Sequence, residues 1–460
     1  MRKGSQDARA YTALFHTEVY TSVAQDRLTH RRHGCLVRLR LDTLKNEISL
    51  FLISFLRLAI YVLREISILY GARCLKLHRT LFMIVGLWPY QKPFIWQIQT
   101  VFFFGAYSCM LFSQFTPFLT TTCNMECILK RFSYICITFV CILNYYSFYF
   151  NSEAVKQMFE HIQFDWKTFK NCDAMKIFEE YLSESYIFTL SLCILFLIGA
   201  SFITIMESKP IILDVIAPMN ESRPRKLEVD IELFVFNEEQ YFFFLLVLEG
   251  VAAGIGLWSL LTILTFITTV TKHSCATYKI VSSLIQNTVT VHTLQLPVAQ
   301  RIQYMHRNIC LSIYIHRRTL EFCKGLILSF DMWYFPLVLI CVLSLSCVLF
   351  RLYNAIMQFN DLYDIFVPCG MLVCYLLYMF MANFLAQSYT EHSVGVLEST
   401  YDTLWYVAPL PIQKLFLIMQ KSIRSHEIML GGLFVLSVEG FSTLVSSAVS
   451  YFTVMHAMRL

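Results

Sequence analysis

The last long apolar stretch of the chain reads MLGGLFVLSVEGFSTLVSSAVSYFTVMH, residues 429–456. It carries one acidic residue, Glu439, and no lysine or arginine. A helix needs roughly 20 mostly apolar residues to cross the hydrocarbon core of a bilayer, so this stretch predicts a membrane span. Six earlier stretches have the same character. Together they predict seven transmembrane helices, at 98–120, 128–150, 184–206, 241–267, 326–350, 364–386 and 429–456.

The overall composition indicates the same class of protein. Apolar residues make up 57% of the chain and charged residues 15%, whereas an ordinary soluble domain has roughly 25% charged residues. Most of the 16 cysteines lie in apolar stretches and none has a spacing typical of zinc, so we predict no metal site. Cys123 and Cys127 are exceptions, because they fall in a short predicted outer loop where a disulfide could form. No catalytic pair, phosphate-binding loop or nucleic-acid module is recognisable, which predicts an all-α membrane protein without enzyme activity or cofactor.

The distribution of basic residues predicts the orientation in the membrane. Cytoplasmic loops carry an excess of Lys and Arg, and most of the 37 in this chain share one side if the N-terminus is cytosolic and the C-terminus extracellular. The sequon Asn220-Glu221-Ser222 then lies in an outer loop, which makes Asn220 a candidate glycosylation site. A short cytosolic helix is predicted near 411–420, ahead of the last span.

The first 75 residues differ from the rest. Their apolar part is interrupted by Arg57, Arg64 and Glu65, and a charge at the centre of a membrane helix costs roughly 2.5–3.5 kcal/mol on insertion scales. An amphipathic surface helix is therefore favoured over an eighth span. A further alternative, which we favour, is that this leader is an artefact of gene prediction. We divide the chain into the leader, 1–75, and a seven-helix domain, 76–460.

One face of the last predicted helix is small and hydroxylated. Residues three or four apart share a helix face, and this face carries Thr443, Ser447, Ser450, Val454 and Met458. Hydroxyl groups can hydrate a permeating ion and an apolar ring can close a pore, so the pattern predicts a pore lining. The alternative is that small hydroxylated residues allow close helix packing in lipid.

Three functional classes compete for a seven-helix membrane protein. A G-protein-coupled receptor has an extracellular N-terminus, opposite to the orientation predicted here. A transporter often shows repeated spans broken by Gly or Pro, and no such repeat is recognisable. The third class is a ligand-gated channel, with a pore helix and an aromatic-rich pocket.

Several motifs resemble those of insect odorant receptors, from residue 79 to the end of the chain. The most specific are the two blocks at 401–422 and 436–458. The Thr-Tyr-x5-Gln-Phe signature of the related gustatory receptors is absent. The motifs are GLWP (86–89), HIQFDW (161–166), APMNESRPRKLEVDIELFVFNEEQYF (217–242), YDTLWYVAPLPIQKLFLIMQKS (401–422) and LSVEGFSTLVSSAVSYFTVMHAM (436–458).

The resemblance implies a tetrameric, odorant-gated cation channel in the plasma membrane of olfactory sensory neurons. The last helix of each subunit would line a shared pore, and an odorant-tuning subunit would assemble with an invariant co-receptor. By position in the motif, the hydrophobic gate falls on Val454 and Met458. The co-receptor has Gln where this chain has Ala457, so the chain resembles a tuning subunit. A metabotropic seven-helix chemoreceptor and a gustatory-type channel are the alternatives.

The resemblance also implies an odorant pocket in the outer halves of the second to sixth helices. A small volatile or lipid-like odorant needs an aromatic and aliphatic cavity with few polar groups. Glu249 is the most informative candidate, because a carboxylate within an apolar span is costly and functional by default. Packing in the core or against lipid is the alternative for the others. The candidates are Tyr134, Thr138, Phe196, Gly199, Ile203, Leu245, Glu249, Met371 and Tyr375.

Overall fold

The computed structural model describes residues 70–120, 124–170, 173–207, 238–358, 362–422 and 427–458. Helices dominate these ranges, with one 3₁₀ turn (Trp405–Val407) and a two-stranded hairpin of β1 (Met429–Leu430) and β2 (Phe434–Val435). The helices are α1 (Tyr70–Val85), α2 (Pro93–Phe115), α3 (Pro117–Thr120), α4 (Met125–Phe150), α5 (Ser152–Phe169), α6 (Ala174–Glu207), α7 (Glu238–Gln286), α8 (Val291–Leu294), α9 (Val298–Gln358), α10 (Leu362–Asp402), α11 (Leu410–Ser422) and α12 (Val438–Ala457).

Every predicted span overlaps one of these helices. Within the described ranges, 5 helices are long and apolar enough to cross a membrane: α2, α6, α7, α9 and α10. The spans predicted at 128–150 and 429–456 overlap α4 and α12, which are not among the 5. The count of seven spans and the sides of the two termini therefore stay predictions. The short helix expected near 411–420 is confirmed as α11.

The first predicted span, 98–120, was placed too far along the chain. Helix α2 already begins at Pro93 and ends at Phe115. Thr116 separates it from α3, which starts at Pro117. A proline has no backbone N–H and is best tolerated in the first turn of a helix, which is where Pro117 lies, at the start of α3.

Three helices are far longer than a bilayer requires. Helices α7, α9 and α10 have 49, 61 and 41 residues. At about 1.5 Å per residue the longest extends about 90 Å, three times the thickness of the hydrocarbon core. Pro336 lies inside α9 and Pro368 inside α10. The predicted spans end with the apolar runs, whereas the helices continue beyond them.

Two separate clusters of buried apolar side chains hold the helices together. One joins α6, α7, α9, α10 and α11 through residues such as Tyr278, Ile309 and Phe416. The other joins α4, α9, α10 and α12 through residues such as Leu345 and Leu444. Fully burying one such side chain contributes about 1.5–3 kcal/mol. Helices α9 and α10 thus contribute to both clusters, at different points along their length.

A group of aromatic rings fixes α1 to the bundle. Phe82 is fully buried, and its ring centroid lies 6.1 Å from Phe148 on α4, 5.5 Å from Phe159 on α5 and 4.9 Å from Phe266 on α7. These separations are typical of favourable edge-to-face contacts. Helix α1 also crosses the predicted boundary between the leader and the seven-helix domain. The remainder of the predicted leader, 1–69, lies outside the described residues.

A partly buried ion pair connects α5 with α9. Arg318 Nη1 donates a hydrogen bond of 2.5 Å to Asp165 Oδ1, and its guanidinium lies 4.3 Å from the centroid of the Phe164 ring. Burial raises the pKa of Asp165, but the neighbouring imidazoles of His161 and His273 outweigh it and hold the pKa below its ordinary value. The carboxylate is therefore ionised at neutral pH.

The last helix begins at Val438, so the prediction of a span from residue 429 was wrong at its start. Gly431 and Gly432 have φ of +58° and +65°, a pair of values typical of the tight turn in a β-hairpin. Ser437 then caps α12, because its Oγ accepts a hydrogen bond of 2.9 Å from Gly440 N. The apolar run therefore predicted the span, but hydrophobicity alone does not reveal the turn that Gly431 and Gly432 make before the helix.

Gly431→Ala is expected to destabilise the hairpin more than Gly432→Ala. A Cβ at residue 431 would lie 2.6 Å from Phe335 Cδ2, whereas a Cβ at residue 432 would meet no atom within 4 Å. Both substitutions carry the cost of a left-handed conformation, about 1–2 kcal/mol, but only the first adds a clash. Thermal unfolding of the purified protein should show the lower Tm for Gly431→Ala. Equal Tm values for the two variants would contradict the predicted contact with Phe335.

Candidate functional site: the last helix and an adjoining cavity

Helix α12 packs on the rest of the chain through one face. Leu444 and Ala448 are buried in the core shared with α4, α9 and α10. Ser346 Oγ on α9 donates a hydrogen bond of 3.0 Å to the carbonyl oxygen of Ala448. Further along, the Tyr353 ring lies 5.9 Å from Phe452 and 4.9 Å from His456. These contacts fix the rotation of α12 about its own axis.

The five predicted pore residues lie on the opposite face of α12. Thr443 and Ser450 are exposed, and Ser447 is half-buried. Val454 and Met458 are 55% and 66% exposed. Ser447 Oγ donates to the carbonyl oxygen of Thr443 at 2.8 Å, and the other two hydroxyls bond to the helix backbone in the same way. A hydroxyl bonded in this manner keeps its lone pairs available for water or a cation.

A cavity of about 170 Å³ lies next to the segment that leads into α12. Its walls come from α4, α5, α7, α9 and α10, together with Leu430, Leu436 and Leu444. The lining is mostly apolar, and Asn144, Asp331 and Asn383 add polar groups. A mostly apolar cavity that contains a small number of polar groups is typical of a small-molecule binding site.

Two of the polar groups lining the cavity also hold the hairpin. Asp331 Oδ1 accepts a hydrogen bond of 2.6 Å from Gly431 N, and Asn383 Oδ1 accepts one of 3.1 Å from Ser437 N. An occupant of the cavity would therefore be adjacent to the bonds that position the start of α12. No local sequence signal indicated this, because Asp331 and Asn383 are on different helices.

Four of the predicted ligand-binding residues are on α4 and α10, where these helices contact α2 and α9. Arg351 lies 5.0 Å from the centroid of the Tyr134 ring, and its Nη1 is 3.5 Å from Met371 Sδ. Thr138 Oγ1 donates to Gln114 Oε1 at 3.0 Å. The buried Tyr375 hydroxyl accepts from Ser344 Oγ at 2.6 Å. Arg351 therefore brings together Tyr134 and Met371, whereas the structure places Tyr375 in the core beside α12.

The other five predicted ligand-binding residues are on α6 and α7. Phe196 contacts Trp258, with ring centroids 5.5 Å apart. Open space surrounds the position that a side chain at Gly199 would occupy. Leu245 is buried and Glu249 is half-buried, whereas the side chain of Ile203 lies outside the described part. None of the nine predicted residues lines the cavity of about 170 Å³.

Two further predictions concern the outer loops. Cys127 is disulfide-bonded, and its partner lies outside the described residues. The glycosylation candidate Asn220 also lies outside them. Glycosylation at Asn220 therefore stays a prediction.

The bundle of long apolar helices defines a multi-pass membrane protein. The chain belongs to the 7tm odorant receptor family, whose sequence profile matches residues 124–449. The predicted resemblance is thereby confirmed, and the family is one of receptors rather than enzymes. A comparison with curated protein sequences found no match.

Solved structures of an insect receptor share the fold. The olfactory receptor OR5 from Machilis hrabei in complex with eugenol superposes with a TM-score of 0.67 at 13% identity, covering 84% of this chain and 98% of that receptor. A second structure of OR5 gives a TM-score of 0.61 at 12% identity, covering 83% of this chain and 96% of the receptor. At this level of identity the likeness shows the fold alone.

Proposed function

We propose that this chain is the odorant-binding subunit of an odorant-gated, non-selective cation channel, and that α12 lines its pore. One observation carries the proposal. Helix α12 buries Leu444 and Ala448 in its own bundle and leaves the hydroxylated face with Val454 and Met458 exposed. Subunits arranged around a common axis would bring this face of each subunit together, because closed symmetric assemblies repeat one surface around the axis.

The chemistry of the exposed face suits a gated pore. Thr443, Ser447 and Ser450 supply oxygens that can replace part of the water around a cation. Val454 and Met458 are one helical turn apart, and an apolar ring at that position would exclude water and close the pore. Opening would then require the ring to widen. The side chains facing the packed side of α12 offer no comparable run of hydroxyls.

The partner that we propose is the invariant odorant co-receptor, in a heterotetramer. Ala457 supports the tuning role, because the co-receptor has Gln at this point of the motif. The proposed arrangement has seven spans, a cytosolic N-terminus and an extracellular C-terminus in the plasma membrane of olfactory sensory neurons. Asn220 would then be glycosylated in an outer loop.

The ligand that we propose is a small volatile or lipid-like odorant. The chain shares its fold with OR5, which was solved in complex with eugenol. Two groups of predicted residues could contact such a ligand: those on α4 and α10 and those on α6 and α7. Aromatic and aliphatic side chains dominate both groups, as expected for the binding of an apolar molecule. The groups comprise Tyr134, Thr138, Met371 and Tyr375, and Phe196, Gly199, Ile203, Leu245 and Glu249.

Whole-cell recording tests the proposed function directly. The chain would be expressed with and without an insect co-receptor and exposed to a panel of volatile compounds and cuticular hydrocarbons. We expect a fast cation current that requires both the co-receptor and the ligand and persists when G proteins are blocked. Surface-expressed protein that gives only slow, G-protein-dependent signals would contradict the channel and favour the metabotropic alternative.

Glu249→Gln is expected to reduce the potency of odorants that have a polar head group. Glu249 is half-buried beside the buried Leu245, and a hydrogen bond to a charged group contributes about 1.5–3 kcal/mol. Loss of about 1.4 kcal/mol corresponds to a tenfold change in affinity. The measurement is the concentration giving half-maximal current. Glu391→Gln, at an exposed position, serves as control. If Glu249→Gln leaves the potency and rank order of the odorants unchanged, Glu249 does not contact the ligand.

A further inference from the structure

Three potential metal ligands converge where α5 meets α7. His161 Nε2 lies 3.3 Å and His273 Nε2 lies 3.2 Å from the same oxygen, Asp165 Oδ2. The three ligand atoms all lie within 4.8 Å of one another. The second carboxylate oxygen, Oδ1, is held by Arg318. Two imidazole nitrogens and one carboxylate oxygen therefore face a common point.

This group is shielded from solvent. The exposed fractions of the side chains are 14% for His161, 4% for Asp165 and 1% for His273. His161 and Asp165 are one turn apart on α5, which places both on the same helix face. The His161 ring stacks on Phe322, with centroids 4.1 Å apart and planes at 14°. The stacking fixes the direction of its ring nitrogens.

His273 is the observation that points to a ligand. Neither of its ring nitrogens makes a hydrogen bond within the described ranges, although the ring is fully buried. Nε2 is close to Asp165 Oδ2 but is not aligned for a hydrogen bond. Buried polar atoms in native proteins are nearly always bonded, and one without a partner calls for an ion or a water molecule.

The distances between the atoms fit a zinc site. Zinc binds histidine nitrogen and carboxylate oxygen at about 2.0–2.2 Å in tetrahedral geometry, so its ligand atoms lie about 3.3 Å apart. The two nitrogen–oxygen distances, 3.2 and 3.3 Å, agree with that separation. Mixed imidazole and carboxylate ligands favour zinc over calcium or magnesium, which prefer oxygen ligands alone.

We propose that His161, Asp165 and His273 bind a zinc ion that joins α5 to α7. Arg318 would orient the carboxylate through Oδ1, as groups bonded to metal ligands commonly do. None of the three residues lines the cavity beside α12 or belongs to the predicted pore face. Since bound metal stabilises only the folded chain, its role would be to hold α5 in place on the long helices.

Metal binding to the purified full-length protein tests the proposal. The protein in detergent would be stripped with a chelator and titrated with Co²⁺, whose absorption spectrum reports tetrahedral coordination, and with Zn²⁺ in competition. We expect one Co²⁺ per chain, displacement by Zn²⁺ and a higher Tm with either metal. His161→Phe keeps a ring beside Phe322 but removes a ligand, and His273→Ala removes another. Each substitution should weaken metal binding by more than roughly 10–100-fold. That range is typical of mutating a residue that only hydrogen-bonds to a metal-ligating side chain.

An exposed pair supplies the control. Cys310 Sγ lies 3.7 Å from His306 Nε2 on the surface of α9. This pair could bind metal non-specifically, so it is the matched control for the buried site. The double variant His306→Ala/Cys310→Ser should bind Co²⁺ like the unmodified protein. Binding that is lost in this double variant but retained in His161→Phe would overturn the proposal, as would the absence of any Co²⁺ spectrum or Tm shift in the unmodified protein. Either result would leave the three residues as an ion-paired cluster.

Discussion

Val454→Ser is expected to produce a steady cation current in the absence of odorant. In the proposed channel, Val454 lies on the exposed face of α12 and contributes to the apolar ring that keeps the closed pore dry. Replacing a valine side chain in a dry site loses about 1.5 kcal/mol of the free energy that apolar burial contributes to the closed state. This loss corresponds to roughly a tenfold shift in the ratio of open to closed channels for each subunit changed. The measurement is the whole-cell current without ligand, divided by the current at saturating odorant, in cells that express the co-receptor.

Val449→Ser is the matched control for this experiment. Val449 is on the same helix and is 44% exposed, but at 100° per residue it points well away from Val454. It should give no ligand-independent current and a normal response to odorant. If both variants leak equally, or if Val454→Ser responds like the unmodified protein, the face of α12 assigned to the pore is wrong.

Phe82→Ala is expected to cause the largest loss of stability among single substitutions in α1. The ring is fully buried and contacts aromatic residues on three other helices. Phe→Ala in a core costs about 3–5 kcal/mol, a large part of the roughly 5–15 kcal/mol that stabilises a typical folded protein. Thermal unfolding and the yield of monodisperse protein in detergent would measure the loss.

Phe94→Ala provides the comparison. Phe94, at the start of α2, is 72% exposed, so its removal should change stability by no more than about 0.5 kcal/mol. A Phe82→Ala variant that unfolds at the same temperature as Phe94→Ala would show that α1 is not part of the stable unit. The result therefore also bears on where the predicted leader ends.

Sequence alone predicted the helices well where the physical signal is local. Apolar runs placed helices at all seven positions, whereas the assignment of one face of α12 to a pore stays a prediction. The start of α12 was missed because the turn depends on positive φ at Gly431 and Gly432. The C-terminal part of α7 and the N-terminal part of α9 were missed because these more polar segments are held by packing against other helices.

The cavity beside α12 could not have been predicted. Its polar groups, Asn144, Asp331 and Asn383, belong to three helices that are distant in sequence, and only the packing brings them together. The same is true of His273, which lies far along the chain from His161 and Asp165. Periodicity shows which residues share a helix face but does not show which faces meet.

The 61-residue helix α9 has a mechanical consequence. Pro336 divides it into two arms of about 57 Å and about 33 Å, at about 1.5 Å per residue. Since proline removes one hydrogen bond of the helix, bending is easiest at this point. The neighbouring Leu337 lines the cavity, and Phe335 lies beside Gly431 of the hairpin. A given change of angle at Pro336 therefore moves the tip of the long arm nearly twice as far as the same change would move the tip of the short arm.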